Sequence, residues 1–350
     1  LRMRFVPAVC AALALVAALS FAAPADVPVV ATPAHDPAII KAGPWYYLFI
    51  TSPGILVERS RDLVNWSVVG QVFRPAPDWT YKEVPRFDGT MWAPDISFVN
   101  GRFLLYYAVS SFGSNQSCIG LATNTTLDPK DPAYQWKDEG KVIGSLPGKD
   151  NWNAIDPNLA WDDQGRYYLS FGSFWDGIKM AAIDPSTGKL LRNPPTLISL
   201  ARRPGVRNDP IEASFIFRRV GDAGGDGSGD ERSGGPGGTY YLFVSYDYCC
   251  RGINSDYKIA VGRSSSITGP YVDKDGKPMT DGGGSVILQG YGDVHGPGHN
   301  AVLHDGQTDW LVHHMYDGTR GGTALLQVRP ITWKDGWPEP GPPLQEPLSH

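Results

Sequence analysis

DPNLAWDDQGRYYLSFGS, from Asp156 to Ser173, reads as a short apolar strand, a turn carrying Gly165, and a second strand rich in aromatics. The phrase returns four more times. It stands as DPAIIKAGPWYYLFIT from Asp36 and as DISFVNGRFLLYYAVS from Asp95. It stands again as EASFIFRR with GGTYYLFVSY from Glu212, and as NAVLHDGQTDWLVHHMY from Asn300. A third strand follows each copy: GILVERS, CIGLATN, IKMAAID, YKIAVGRS and TALLQVRP. Weaker fourth strands include SVVGQVF and GSVILQG. Five copies of a four-stranded meander predict an all-β fold, a five-bladed β-propeller with four-stranded blades. A blade alone exposes both faces, and stacking blade on blade buries them. A pair of β-sandwiches, the rival architecture, leaves the recurrence unexplained.

Composition agrees. Charged residues are only 19 % of the 350, while 41 Gly and 30 Pro supply turns for many short strands. The formal net charge of −5 leaves no basic footprint for nucleic acid. Arg2 and Arg4 precede an apolar run that ends in small residues at Ala22, Ala23 and Ala25. That order predicts a secretory signal over 1–25, so the mature chain is one propeller over 26–350 and the protein is secreted, to the periplasm or beyond. No later segment is apolar enough to span a bilayer. The Gly-rich run at 221–239 is expected to be a flexible insertion between two strands of the fourth copy. Cys10 leaves with the leader; Cys118 could bridge to Cys249 or to Cys250, and no Cys-x-x-Cys spacing suggests zinc.

In a propeller the first strand of each blade lines the central channel. The repeat starts Asp36, Asp95, Asp156, Glu212 and Asn300 are therefore expected at equivalent positions around one axis, with His299 beside the last. Crowded carboxylates in a concave site raise one another's pKa, so one can stay protonated while a neighbour is ionised. Asp before Pro also starts turns, which covers Asp36 and Asp156 but not Glu212, set in a strand-like IEASFIF. An acid facing a carboxylate across a cleft is the equipment of glycoside hydrolysis. Trp92, Phe112, Trp152 and Trp175 are candidate sugar platforms; Trp92, Phe112, Asn153 and Ser173 make the expected substrate-binding set.

HDPAII, MWAPDISFVNGRFLLYYAVS, WNAIDPNL, IEASFIF, YDYCCRGINSDYKIAVGRSSSITGPY and GPGHNAVLH together resemble family 43 of the glycoside hydrolases, and within it the endo-α-1,5-L-arabinanases. The resemblance implies a five-bladed propeller and an inverting enzyme acting on arabinan or arabino-oligosaccharides. It implies Asp36 as general base, Glu212 as general acid, and Asp156 as the residue that orients the acid and keeps its pKa raised. It leaves Asp95 with a structural role. His299 would stand beside a channel calcium held largely through waters, with no organic cofactor. The chain is expected to act as a monomer, with neither nucleic acid nor membrane as partner. An exo-acting arabinofuranosidase or β-xylosidase on the same propeller, and a non-catalytic sugar-binding propeller, are the alternatives.

Overall fold

The aromatic second strands are buried on both sides, which is why they read as continuous apolar runs and not as alternation. Leu48, Phe49, Leu105, Tyr106, Tyr107, Leu169, Phe171, Leu242 and Phe243 are all fully buried. The structure, a computed structural model, describes residues 32–220 and 238–344. The leader expected over 1–25 and most of the Gly-rich insertion at 221–239 lie outside the described residues.

The described residues form five antiparallel sheets, one per copy of the phrase. Blade I comprises Ala38–Ala42, Trp45–Ile50, Leu56–Ser60 and Ser67–Gln71. Blade II comprises Thr90–Val99, Arg102–Val109, Ser117–Asn124 and Lys137–Ser145, with Ser52–Pro53 added along its first strand. Blade III comprises Asn158–Trp161, Tyr167–Phe171 and Ile178–Asp184; two short pieces, Lys189–Leu190 and Ile198–Ala201, share its outer edge. Blade IV comprises Ile211–Arg219, Thr239–Tyr246, Lys258–Ser264 and Ser285–Leu288. Blade V comprises Val294–Asp305, Thr308–Asp317, Thr323–Lys334 and Trp337–Pro340.

The hydrophobic clusters lie between blades. One joins blades I and II, another II and III, another III and IV, and the largest runs through IV, V and I. The ring closes with the chain's own early residues. Leu326 donates its N–H to the Thr32 carbonyl at 2.8 Å and Ala34 donates to Ala324 at 3.2 Å. The segment before blade I thus covers the part of blade V's third strand that Trp337–Pro340 leaves open.

Asp95 is one of the seams. Its carboxylate accepts from Asn158 Nδ2 and from the Leu159 N–H, both at 2.9 Å, tying blade II to blade III in a buried setting. Removing the acceptor strands two buried donors. Asp95→Ala should therefore destabilise the fold by about 2–4 kcal/mol in urea unfolding and leave any activity of the folded protein nearly intact. An unchanged midpoint would show that the seam is dispensable.

Candidate active site

Each blade carries a non-glycine residue with a left-handed backbone just before or within its first strand: Asp36 (φ 49°), Ala93 (46°), Asp156 (56°), Ala213 (55°) and His299 (49°). Strand register makes these five equivalent. Two residues further on, Ala38, Asp95, Asn158, Phe215 and Ala301 pair with Phe49, Tyr106, Ser170, Phe243 and Val312 of the second strands. The expected equivalence of the repeat starts is therefore corrected in three blades. Asp95 matches Asn158, not Asp156. Glu212 lies one residue before the kink and Asn300 one residue after it.

A positive φ is strained for residues with a side chain. Neighbouring blades hold the kinks in place. Thr51 Oγ1 accepts the Ala93 N–H at 2.8 Å, Asp156 Oδ2 the Ala213 N–H at 3.0 Å, and Ser245 Oγ the His299 N–H at 2.8 Å. His314 Nδ1 accepts the Asp36 N–H at 3.0 Å, so it carries no proton there. Burial agrees: it drives the His314 pKa well below the usual imidazole value.

Asp36 sits at the centre of this system, buried and surrounded by donors. Thr51 donates its hydroxyl to Oδ2 at 2.6 Å, and His299 Nδ1 lies 3.1 Å from Oδ1. His35 Nδ1 lies 2.8 Å from Oδ2, close enough for charge but outside hydrogen-bond geometry. Burial alone would push the Asp36 pKa up. The imidazoles of His35 and His299 beside it outweigh burial, and the carboxyl stays well below its ordinary range. Burial would likewise lower the His299 pKa, but Asp36 raises it to about 9. At neutral pH the two form a buried carboxylate–imidazolium pair.

The other two carboxyls are driven the opposite way. Burial first, then the negative charges of Glu212 and Asp36, push Asp156 up to about 8. Burial also raises Glu212, against hydrogen bonds that favour its charged form. Those bonds come from Ser173 Oγ to Oε2 and from Tyr257 Oη to Oε1, both at 2.6 Å. Because Asp156 and Glu212 interact, the raised pKa belongs to the pair, which keeps a proton near neutrality. Gly298 makes room for this arrangement. A Cβ there would meet the Tyr257 ring at 2.1 Å, so the GPGHN motif positions the tyrosine that holds Glu212.

These groups open into a cavity of about 1120 Å³ to which all five blades contribute. Trp92, Phe112, Asn153 and Ser173 all line it. Trp92 and Phe112 pack together at 5.0 Å, and Phe112 is 75 % exposed. Asn153 Oδ1 is buried with no partner in the protein, an acceptor that a sugar hydroxyl can satisfy. Ser173 is already committed to Glu212, so its first task is to hold that carboxyl. Trp175 lines the cavity, whereas Trp152 is core, buried against Phe171 at 5.5 Å. The cysteine expectation is also settled. Cys249 and Cys250 are bonded to each other, and Cys118 is a buried free thiol.

A cleft carrying an ionised carboxylate, a protonated carboxyl pair and exposed aromatics is the equipment of a glycosidase. The sequence matches glycosyl hydrolases family 43 over residues 25–223 and 235–338. This chain belongs to that family. An extracellular endo-α-(1→5)-L-arabinanase of Bacillus subtilis is 42 % identical over 310 residues, covering 87 % of this chain and 86 % of the relative. An extracellular exo-α-(1→5)-L-arabinofuranosidase of Cellvibrio japonicus is 40 % identical over 314 residues, covering 87 % and 85 %. The α-L-arabinanase of Cellvibrio cellulosa complexed with arabinohexaose superimposes with a TM-score of 0.80 at 39 % identity, covering 89 % of this chain and 96 % of that one.

This family 43 enzyme also sets around Asp36 and Glu212 residues that sequence reasoning passed over: His35, Thr51, Tyr257 and His314. Three of the interblade acceptors carried a signal. Thr51, Ser245 and His314 each stand two residues beyond the register partner of the inner strand, polar positions where an apolar strand ends. Tyr257 carried none.

Two variants should move the pH profile in opposite directions. Tyr257→Phe removes a bond that favours ionised Glu212, so the alkaline limb of kcat/KM should move to higher pH. Asp156→Asn removes the carboxyl with which Glu212 shares its proton, so that limb should move to lower pH while the rate falls. Unchanged limbs in both would contradict the assigned proton.

Proposed function

We propose that this protein is a secreted, endo-acting α-1,5-L-arabinanase that inverts configuration at the cleaved bond. The observation carrying this reading is one cleft in which Asp36 sits against Thr51 and His299 while Glu212 is held by Ser173 and Tyr257, in a chain whose relatives are named for α-1,5-linked arabinose. Asp36, held ionised by its histidines, takes a proton from the attacking water. Glu212 gives its proton to the departing glycosidic oxygen. Asp156, linked to the next residue through the Ala213 N–H, holds the Glu212 backbone in place and, as a coupled carboxyl, shares with Glu212 the proton that the acid delivers. Water then attacks the anomeric carbon from the face opposite the leaving group, and inversion requires Asp36 and Glu212 to stand roughly 6.5–9.5 Å apart. The enzyme resets when the proton gained by Asp36 is lost to solvent and Glu212 regains one.

The cavity exceeds the range of about 300–1,000 Å³ usual for small-ligand pockets, which suits several sugar units and supports the endo reading. Exo attack is the competing reading, because the Cellvibrio japonicus relative is named for it. Both relatives are named extracellular, which fits the leader-like N-terminus. Monomeric action is part of the same proposal.

A channel calcium belongs to this proposal too. The described residues bring three metal-type donors within 4.8 Å of one another, His35, Asp36 and His314, and His299 is not among them. That set is rich in nitrogen, whereas calcium takes six to eight oxygens. His299 engages Asp36 through Nδ1, and as an imidazolium it has no lone pair to offer, so its Nε2 would meet a cation only after losing its proton. Calcium fits beside it only with water supplying most of the shell; its charge would then favour the ionised state of nearby carboxylates.

On debranched linear arabinan the wild type should release mixed oligomers, and Asp36→Asn and Glu212→Gln should each lower kcat by about a hundred- to ten-thousand-fold. Monomer as the sole early product would replace the endo reading with the exo one. Full activity in either variant would remove the acid/base assignment. Chelation should lower activity and calcium restore it; identical rates would dismiss the metal.

A further inference from the structure

The Cys249–Cys250 disulfide joins neighbours in sequence. A disulfide stabilises a fold mainly by closing a chain loop, and this one closes none. Its effect is therefore local, and its place is the cleft. Blade IV's second strand ends at Tyr246, and Tyr248, Cys249, Cys250 and Arg251 then run along the cavity wall.

The loop is held firmly. The Cys250 N–H donates to Tyr316 Oη at 2.7 Å, the Tyr248 N–H to Asp256 Oδ1 at 3.0 Å, and the Arg251 N–H to Ser255 Oγ at 3.0 Å. Tyr248 packs on Phe174 at 5.4 Å, and the Arg251 guanidinium lies 4.0 Å from the Tyr248 ring centre. The same Tyr316 hydroxyl meets His35 Nε2 at 2.9 Å, and His35 in turn contacts Asp36. Cys250 Sγ lies 3.8 Å from His35 Nε2, so one imidazole separates the sulfur from the catalytic base. Cys250 is exposed. A bonded sulfur pair has no proton to donate and accepts hydrogen bonds only weakly. In a wall made mostly of polar groups and aromatic rings, with Ile155 the one aliphatic side chain lining it among the described residues, the disulfide is a polarisable, apolar patch.

We propose that the Cys249–Cys250 disulfide is a substrate contact, a platform against which the C–H face of the pentofuranosyl ring bound beside Asp36 packs. This rests on the arabinan reading above. The sugar's hydroxyls then point to the polar groups across the cleft, and its bare face meets sulfur.

The test is calorimetric binding of linear arabinotriose in a Glu212→Gln background, which stops turnover. Replacing the pair by serine, Cys249→Ser with Cys250→Ser, should weaken binding about tenfold, or about 1.4 kcal/mol. Cys249→Ala with Cys250→Met returns an apolar sulfur to the wall and should recover most of the loss. In the parent, a dithiol reagent reduces the disulfide with two electrons and two protons, giving two thiols and the reagent's own cyclic disulfide. Binding should weaken on that reduction and return on reoxidation. Equal affinity of the serine pair and the parent would overturn the proposal, as would an equal loss in the serine and methionine pairs. If wild type neither binds nor cleaves arabino-oligosaccharides, the arabinan reading itself fails; that result is separate from a wild type that cleaves while the serine pair binds normally.

Discussion

The structure depends on one backbone device used five times: a left-handed residue at the mouth of each inner strand. In four blades an adjoining blade supplies the acceptor for the N–H of the left-handed residue. The strain is local, and the hydrogen bond that offsets it crosses a blade boundary. The kinks cannot form without the ring, and the ring is fastened at its kinks. Asp36, Asp156 and His299 stand on them and Glu212 stands beside one, so the geometry of the site follows from the closure of the fold.

The second constraint is charge. Three buried carboxyls share a channel with few cations, and they cannot all ionise cheaply. The structure divides them. Asp36 receives Thr51 and two histidines, and becomes the ionised partner. Asp156 and Glu212 receive neutral donors, and together retain a proton. Base and acid differ not in chemistry but in which blade supplies their neighbours. Blade V supplies His299 to the Asp36 carboxylate and neutral His314 to its N–H, while blade IV supplies Tyr257 to Glu212, next to a glycine that leaves space for the ring.

The fold was legible because the second strands are long, aromatic and repeated. Strand order and blade number follow from that pattern alone. The candidate acids were also legible, but their register was not. Aligning the copies on their acidic residues places Asp95 with Asp36 and Asp156. Aligning them on proline places Pro37, Pro94 and Pro157 together, and puts Ala93 at the kink. Proline constrains the backbone and acidity does not, so proline was the better marker of equivalence. Blade IV has no proline there and carries a bulge between Glu212 and Phe215, which hides its offset. Tyr257 could not be read because its partner Glu212 stands 45 residues away in sequence, and His35 because its partner Tyr316 belongs to another blade. The cysteine pairing was open for the same reason: spacing does not tell which thiols meet.

The most direct measurement is a carbon-13 NMR titration of the side-chain carboxyls in the wild-type enzyme, assigned with Asp36→Asn, Asp156→Asn and Glu212→Gln. Asp36 should remain ionised far into the acid range, while the Asp156–Glu212 pair takes up its first proton near pH 8. All three carboxyls titrating together near the ordinary carboxylate value of about 4 would contradict the account, because nothing would then distinguish the base from the acid.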